Sequence, residues 1–431
     1  MAENEIDEDK FDVESPASSK TDIRVLDHTL AYVKEKLSLV HQYDNIYGRI
    51  TISNYAKKIS LHPWFQRLND IKQLGPLHFK FPHAHHSRFQ HSLGVAYLAR
   101  YVGRVLRGKS PRITEREIMC LEIAALCHDL GHGPYSHSFD HVLRDIEFKS
   151  HTKHHEVRSQ ILVKFLIESL PELDITSDEV KLIQYFIDTE KYRLLYNDLP
   201  VFTPGLEQIV SNPVHKLDVD KMDYLLRDAQ ALRFDLTIDG SLDVLGLLKR
   251  SQLVKDSTEG KTYWMFHIRD QGIVYDLICR RFIFYNNYYL HPDVNAINCM
   301  LTNALTIVNR VSDFAECVEL KTYEHVEKFA QLTDTYFLEL ILNSDDDSYA
   351  EARNLIERII TGKDWYEHLG DFATNIENLD ETAYVELPWE IFTDKSTPTT
   401  LLPKVKYHQN GMPINPQDVK NTRRLFRKPD V

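Results

Sequence analysis

The sequence predicts a mainly α-helical protein: a helical core, an added helical lobe and a small β-hairpin element. Three observations carry that prediction. Apolar residues recur at helical spacing over most of the chain, helix-start signals stand where those stripes begin, and only one short run is rich in β-formers.

Taken in order, residues 1–25 are acidic, Ser-rich and poor in large apolar groups, which predicts a disordered tail. The helical core is assigned to residues 43–250. There, Thr114-Glu-Arg-Glu117 is a capping box that opens a helix. Ile118, Leu121, Ala125 and His128 follow on one face, and the helix is expected to stop near Leu130-Gly131. His128 and Asp129 then sit at its C-terminal end. Val95, Leu98, Val102, Val105 and Leu106 keep helical spacing after His91, placing His91 near a helix N-terminus. From Asp218 to Asp228, Asp220, Tyr224 and Asp228 recur every four residues and line one side of a helix. Residues 251–375 form the lobe, with a hairpin expected at Lys261–Ile268 and amphipathic segments from Ile273 to about Leu369. Residues 376–431 carry scattered prolines and are expected to be irregular, with a basic end, Arg423-Arg-Leu-Phe-Arg-Lys428, that reads as a solvated tail.

Composition narrows the function classes. Hydrophobic content of 43% suits a globular protein, and a net charge of -13 argues against a general nucleic-acid coat. No apolar run approaches the roughly 20 residues that span a bilayer, and the N-terminus has no signal-peptide core. The five cysteines are scattered without a Cys-x-x-Cys pair, which fits a reducing compartment and excludes zinc fingers. An intracellular protein, cytoplasmic and/or nuclear, with no membrane partner is expected.

The most informative run is Cys127-His-Asp-Leu-Gly-His-Gly-Pro-Tyr-Ser-His-Ser-Phe-Asp140. Twelve of the 21 histidines fall between His78 and His155. A structural core has little use for so many titratable rings, because each buried ring needs a partner. His91, the adjacent His128-Asp129 and Asp220 are natural metal ligands. Two imidazoles and two carboxylates suit Mn²⁺, Fe²⁺ or Zn²⁺ and leave open positions for water and a phosphate oxygen. The bland reading of His78, His83, His85 and His86 is loop or surface, and His141, His151 and His154 read as bystanders. The Tyr285–Tyr289 cluster reads equally as helix packing or pocket wall.

Arg88-Phe-Gln-His-Ser-Leu-Gly-Val95, the Cys127–Asp140 run, His155-Glu156 and Asp218–Asp228 together resemble the HD superfamily of metal-dependent phosphohydrolases. More narrowly they resemble its SAM-and-HD-domain deoxynucleoside triphosphate triphosphohydrolases. The likeness covers roughly Asp44 to Leu369, without an N-terminal SAM domain. It implies that His91, His128, Asp129 and Asp220 take the metal, and that His132, His137, Asp140 and His155 are catalytic. His137, three residues before Asp140, is the expected acid, oriented and kept protonated by that carboxylate. Arg88, Lys221 and Arg281 match phosphate contacts. Gln73 and Leu74 match a pair beside the sugar, and Tyr224, Asp228 and Tyr289 match others in the pocket. Leu74 and Tyr289 packed against C2′ would exclude a 2′-hydroxyl.

The resemblance further implies a dNTP substrate, a homo-oligomer (dimer or tetramer) and additional Mg²⁺ with the triphosphate. The chain departs from the family at Tyr285 and Leu290, where a histidine and a glutamine are usual. It departs again on the activator-binding face, where Leu61 and Asn69 replace an aspartate and an arginine. Two alternatives stand beside this reading. One is an HD-type enzyme for nucleoside monophosphates or cyclic nucleotides. The other is a regulatory protein with a vestigial site that contacts nucleic acid through its basic end.

Overall fold

The computed structural model describes residues 39–214, 216–234, 242–255 and 260–372, and the short strands 384–388, 408–409, 412–413 and 423–427. The expected tail, 1–25, lies outside the described residues. The architecture is mainly α, with a small hairpin where one was expected: β3 (Gln252–Lys255) pairs antiparallel with β4 (Thr262–Met265). Among the described residues no helix is long and apolar enough to cross a membrane.

The further β elements had no counterpart in the sequence reading. Strands β1 (Leu39–Asp44) and β2 (Gly48–Ser53) form a hairpin. Asp44 accepts from the backbone N–H of Ile46 and Tyr47 at 2.7 and 3.1 Å, and Gly48 supplies the positive φ of +71° that closes the turn. Toward the C-terminus, β5 (Glu367–Phe372), β6 (Tyr384–Pro388) and β7 (Arg423–Arg427) pair antiparallel in the order β5-β7-β6. Arg423–Arg427 of the basic run expected as solvated tail thus form the middle strand of a sheet. Its charge content hid the strand, because ladder hydrogen bonds use the backbone and not the side chains.

Helices α1 (Arg88–Lys109) and α2 (Glu115–Cys127) pack on each other at the centre. Both open with capping boxes, Ser87 with Gln90 and Thr114 with Glu117. Helix α2 is buried on every side from Ile118 to Cys127, which exceeds the single stripe read from its spacing. Glu122 survives inside because it accepts from the Ser53 backbone N–H at 2.8 Å and from Arg100 at 3.2 Å. Around this pair lie α3 (His137–Asp145), α4 (His155–Glu168), α5 (Ser177–Ile187) and α6 (Val219–Ala231). The lobe adds α7 (Gln271–Phe284), α8 (Pro292–Ser312), α9 (Asp334–Leu342) and α10 (Ala350–Thr361). Helix α8 packs against both α10 and α3, and one buried core runs from Ile50 to Tyr366. The lobe therefore bears directly on the histidine-rich motif.

Candidate active site and metal centre

The first turn of α1 carries Arg88 and His91, the end of α2 carries His128 and Asp129, and the first turn of α6 carries Asp220. Their functional atoms converge. His91 Nε2 lies 3.3 Å from His128 Nε2, 3.1 Å from Asp220 Oδ1 and 3.6 Å from Asp129 Oδ2. His128 Nε2 lies 3.4 Å from Asp129 Oδ1 and from Asp220 Oδ1. The outer ring nitrogens are already committed: His91 Nδ1 faces Asp223 Oδ2 at 2.7 Å, and His128 Nδ1 faces the Ala125 carbonyl at 2.7 Å. A proton on each Nδ1 leaves both Nε2 lone pairs aimed at one point shared with two carboxylates. That is a donor set for a cation.

The electrostatics agree. Burial alone would lower the pKa of His91, but hydrogen bonds to Asp220 and Asp223 and the nearby carboxylate charges outweigh it and hold it at about 10. A field that binds a proton so firmly would favour a dication in its place. Two imidazoles with two carboxylates fit a borderline divalent metal.

Asp223 was missed by the sequence reading, which followed the Asp220–Tyr224–Asp228 face. It is fully buried and held by Arg227 through Nε and Nη2, both at 2.9 Å; Arg227 in turn reaches Asp44 at 2.9 Å. The spacing of Asp223 and Arg227, four residues apart on one helix, was the available signal. Gly94 is required here, since a Cβ would lie 2.0 Å from Asp223 Oδ1.

The second set lies alongside. His132 stacks on His155 with ring centroids 3.8 Å apart, and His137 stands edge-on to both. The structure differs from expectation over Asp140. Its Oδ2 lies 2.8 Å from His155 Nδ1 but 3.8 Å from His137 Nδ1, while Arg158 donates to Oδ1 at 2.5 Å. Asp140 thus orients His155, because α4 brings that ring over the carboxylate, whereas the His137 side chain is 67% exposed. Burial acts to lower the His155 pKa, but Glu156 and Asp140 hold it above its ordinary value. Burial, Arg88 and His155 together keep His132 well below its own, hence neutral. Ligand atoms of this set also lie within 4.8 Å of one another, as do those of His91, His128 and Asp129. The Arg158 guanidinium already neutralises the one carboxylate here, so the second set has less need of a metal.

The metal, catalytic and substrate-contact residues expected from the sequence line one cleft of about 1160 Å³, except His91 and His128, which back onto Asp129 and Asp220. Arg88 donates to Asp129, to Ser136 Oγ at 2.8 Å and to the Gln73 carbonyl at 3.3 Å. Lys221 Nζ lies 2.8 Å from Asp218, and Arg281 reaches the Lys216 carbonyl at 3.4 Å. Leu74 and Tyr224 complete the wall with Tyr285 and Leu290. The Tyr285–Tyr289 segment is a π-helical turn that continues α7. Tyr289 donates its hydroxyl to Asp228, whose other oxygen faces His86 Nε2 at 2.7 Å. His86 lies in the loop that its sequence context suggested, and from there it supports the pocket through Asp228.

Residues 88–228 match the HD domain. The chain therefore carries an HD domain. Over 90% of its length it is 31% identical to the deoxynucleoside triphosphate triphosphohydrolase SAMHD1 of Mus musculus, and over 84% it is 32% identical to that of Bos taurus. A putative HD domain-containing protein, L394, of Acanthamoeba polyphaga mimivirus is 31% identical over 69% of the chain. The chain spans 62%, 64% and 63% of the lengths of these three relatives.

Proposed function

We propose that this HD-domain protein hydrolyses a deoxynucleoside triphosphate to the deoxynucleoside and inorganic triphosphate. The observation that carries the reading is the pair of convergent sets on one cleft: a four-ligand cation site beside three histidines. The names of the similar proteins supply the substrate class. Among the described residues, Gln73 Oε1 and His132 Nδ1 are buried polar atoms without a hydrogen-bond partner, and both residues line the cleft. Buried polar groups are satisfied in most proteins, so a polar ligand is the natural partner for these.

In this reading His91, His128, Asp129 and Asp220 hold one Mn²⁺, Fe²⁺ or Zn²⁺, with additional Mg²⁺ accompanying the triphosphate. Such a metal would polarise a phosphoryl oxygen and acidify a bound water. The chain's own residues do the rest. Water adds to the α-phosphorus, the bond from phosphorus to the 5′-oxygen breaks, and the leaving oxygen takes a proton from His137. His155, kept cationic by Asp140 and Glu156, binds a phosphate oxygen. Neutral His132 donates a hydrogen bond beside it. Arg88, Lys221 and Arg281 supply positive charge along the polyphosphate. Gln73, Leu74, Tyr224, Asp228 and Tyr289 enclose the sugar and base, and Leu74 with Tyr289 leaves no room at C2′. The expected homo-oligomer, dimer or tetramer, rests on the resemblance alone and is read by sedimentation of the purified chain.

The test is purified protein with Mn²⁺, offered each dNTP, GTP, nucleoside monophosphates and cyclic nucleotides, with product analysis. Release of deoxynucleoside and triphosphate in equal amounts supports the reading. Hydrolysis of monophosphates or cyclic nucleotides alone would move the substrate class. GTP turned over as fast as dGTP would overturn the sugar gate.

A further inference from the structure

We infer that Asp334, a residue of the helical lobe, is a positioning residue that sets the turn carrying His137 and the turn carrying Gln73 and Leu74. Asp334 opens α9 and is 4% exposed. Its two carboxylate oxygens are divided between two distant segments. Oδ1 accepts from the Tyr135 backbone N–H at 2.6 Å, and Oδ2 accepts from the Lys72 backbone N–H at 2.9 Å.

Both segments need such a tie. Tyr135 and Ser136 have φ of +54° and +59°, a region that residues with a Cβ rarely occupy unless their surroundings impose it. The imposing contacts close a ring. Asp334 holds Tyr135 and Lys72; the Lys72 carbonyl accepts from Ser136 Oγ at 2.6 Å; and Ser136 Oγ accepts from Arg88 Nε at 2.8 Å. The two turns touch directly, since a Cβ on Gly75 would stand 2.6 Å from the Tyr135 carbonyl oxygen. Nearby, Arg67 donates to the carbonyls of Leu130, His132 and Leu332 at 2.9, 2.6 and 3.2 Å. The lobe segment Leu332–Asp334 therefore grips the motif on both sides of Gly133.

His137 follows this strained pair immediately. Its own ring is held only loosely, with Asp140 at 3.8 Å. The backbone entering α3 therefore decides where the ring stands, and Asp334 fixes that backbone. A reacting group displaced by about 1 Å can lose roughly 10²-fold in rate. The kinetic part of this inference rests on the proposed role of His137; the structural part does not.

The experiment uses Asp334→Asn in the full chain. Asparagine keeps one acceptor and turns an NH₂ toward one of the two backbone N–H groups, so one tie is lost. Three readouts are taken: metal content, kcat and KM on the best dNTP, and amide hydrogen exchange across residues 70–76 and 130–140. The expected result is unchanged metal content, kcat lower by roughly 10²-fold, and faster exchange at the released segment, Lys72 or Tyr135–His137. Adding Asp334→Asn to His137→Ala should lower kcat no further, because the kcat effect passes through His137, while the effect on the turn of Gln73 and Leu74 is read in KM. Thr335→Ala removes a neighbouring lobe–core bond to Asp70 (2.6 Å) without touching the ring, and should leave kcat unchanged. Should Asp334→Asn fail to fold, Asp334→Glu, which keeps the charge but moves it by a methylene, is measured against the same outcomes. Unaltered exchange at both Lys72 and Tyr135–His137, full additivity with His137→Ala, or an equal loss in Thr335→Ala would overturn the inference. If the wild type hydrolyses no nucleotide, the proposed function fails, and the exchange experiment still decides whether Asp334 sets the two turns.

Discussion

Replacing Asp223 by asparagine should weaken metal binding by about ten- to a hundredfold, the usual effect of losing an outer-shell partner of a ligand histidine. The structure gives the reason. Asp223 Oδ2 lies 2.7 Å from His91 Nδ1, and Arg227 clamps the same carboxylate at 2.9 Å from two nitrogens. Burial alone would raise the Asp223 pKa, but Arg227 and His91 bring it down to about 2, so it is a fixed anion. Asparagine preserves the shape and still accepts one bond, so His91 keeps its orientation. What is lost is the charge. Hydrogen bonds to ionised groups contribute about 1.5–3 kcal/mol against about 0.5–1.5 for neutral ones, and each 1.4 kcal/mol is tenfold in affinity. The difference alone predicts about one order of magnitude, and the less electron-rich imidazole adds to it. The assay is competition for Mn²⁺ or Zn²⁺ against a chelator of known affinity, with circular dichroism to show the fold intact. Wild-type affinity in a folded Asp223→Asn protein would refute the outer-shell argument.

Three further outcomes are expected. Gly94→Ala puts a Cβ 2.0 Å from Asp223 Oδ1 and 2.4 Å from Arg227, so thermal stability and metal affinity should fall together; a melt and the same chelator competition check it. His137→Ala should keep metal content and lose turnover by roughly 10²–10⁴-fold, read by elemental analysis beside steady-state kinetics. Burial moves the Asp334 carboxyl from 3.8 to about 7, with the Asp70 charge adding to it and Lys72 and the two amide hydrogen bonds opposing. Its folded pKa is raised, so the stability it contributes is full below pH 3.8 and is lost as pH rises through about 7. Asp334→Asn should therefore flatten the fall in stability between pH 5 and 7, measured as the wild-type-minus-variant difference in denaturant midpoint.

What the sequence made legible was local. The capping box at Thr114, the core-facing stripe of α2 and the helical placement of His91 and Asp220 follow from spacing within a dozen residues, and the structure has them in those places. What it hid was long-range pairing. Asp140 sits three residues from His137, so sequence proximity favoured that partner; the fold gives its 2.8 Å contact to His155, fifteen residues on. His86 is in the loop where it was read, and its tie to the pocket stayed hidden because its partner, Asp228, is 142 residues away. Asp334 stood in a run, Leu332–Leu340, that extends the family likeness, but its partners stayed hidden, since its two bonds reach back 199 and 262 residues to backbone N–H groups that no side-chain pattern reveals.

The β1–β2 hairpin shows what such pairings do for the metal centre. Its turn residue Asp44 has a side chain only 6% exposed and meets Arg227, which holds Asp223, which holds His91. Burying three charges in sequence is costly, and a hydrophobic replacement of equal volume is often as stable or more so. Stability is therefore a poor reason for this chain of charges to exist. Orientation is a better one: each member fixes the next, and the last fixes which nitrogen of His91 faces Asp129 and Asp220. A hairpin with no functional residue in its strands thus reaches the ligand set through side chains that water scarcely touches. Asp334 acts in the same way on the turn that carries His137. In both cases the helices of the HD domain supply the functional groups, and segments outside its matched residues 88–228 hold them at their working geometry.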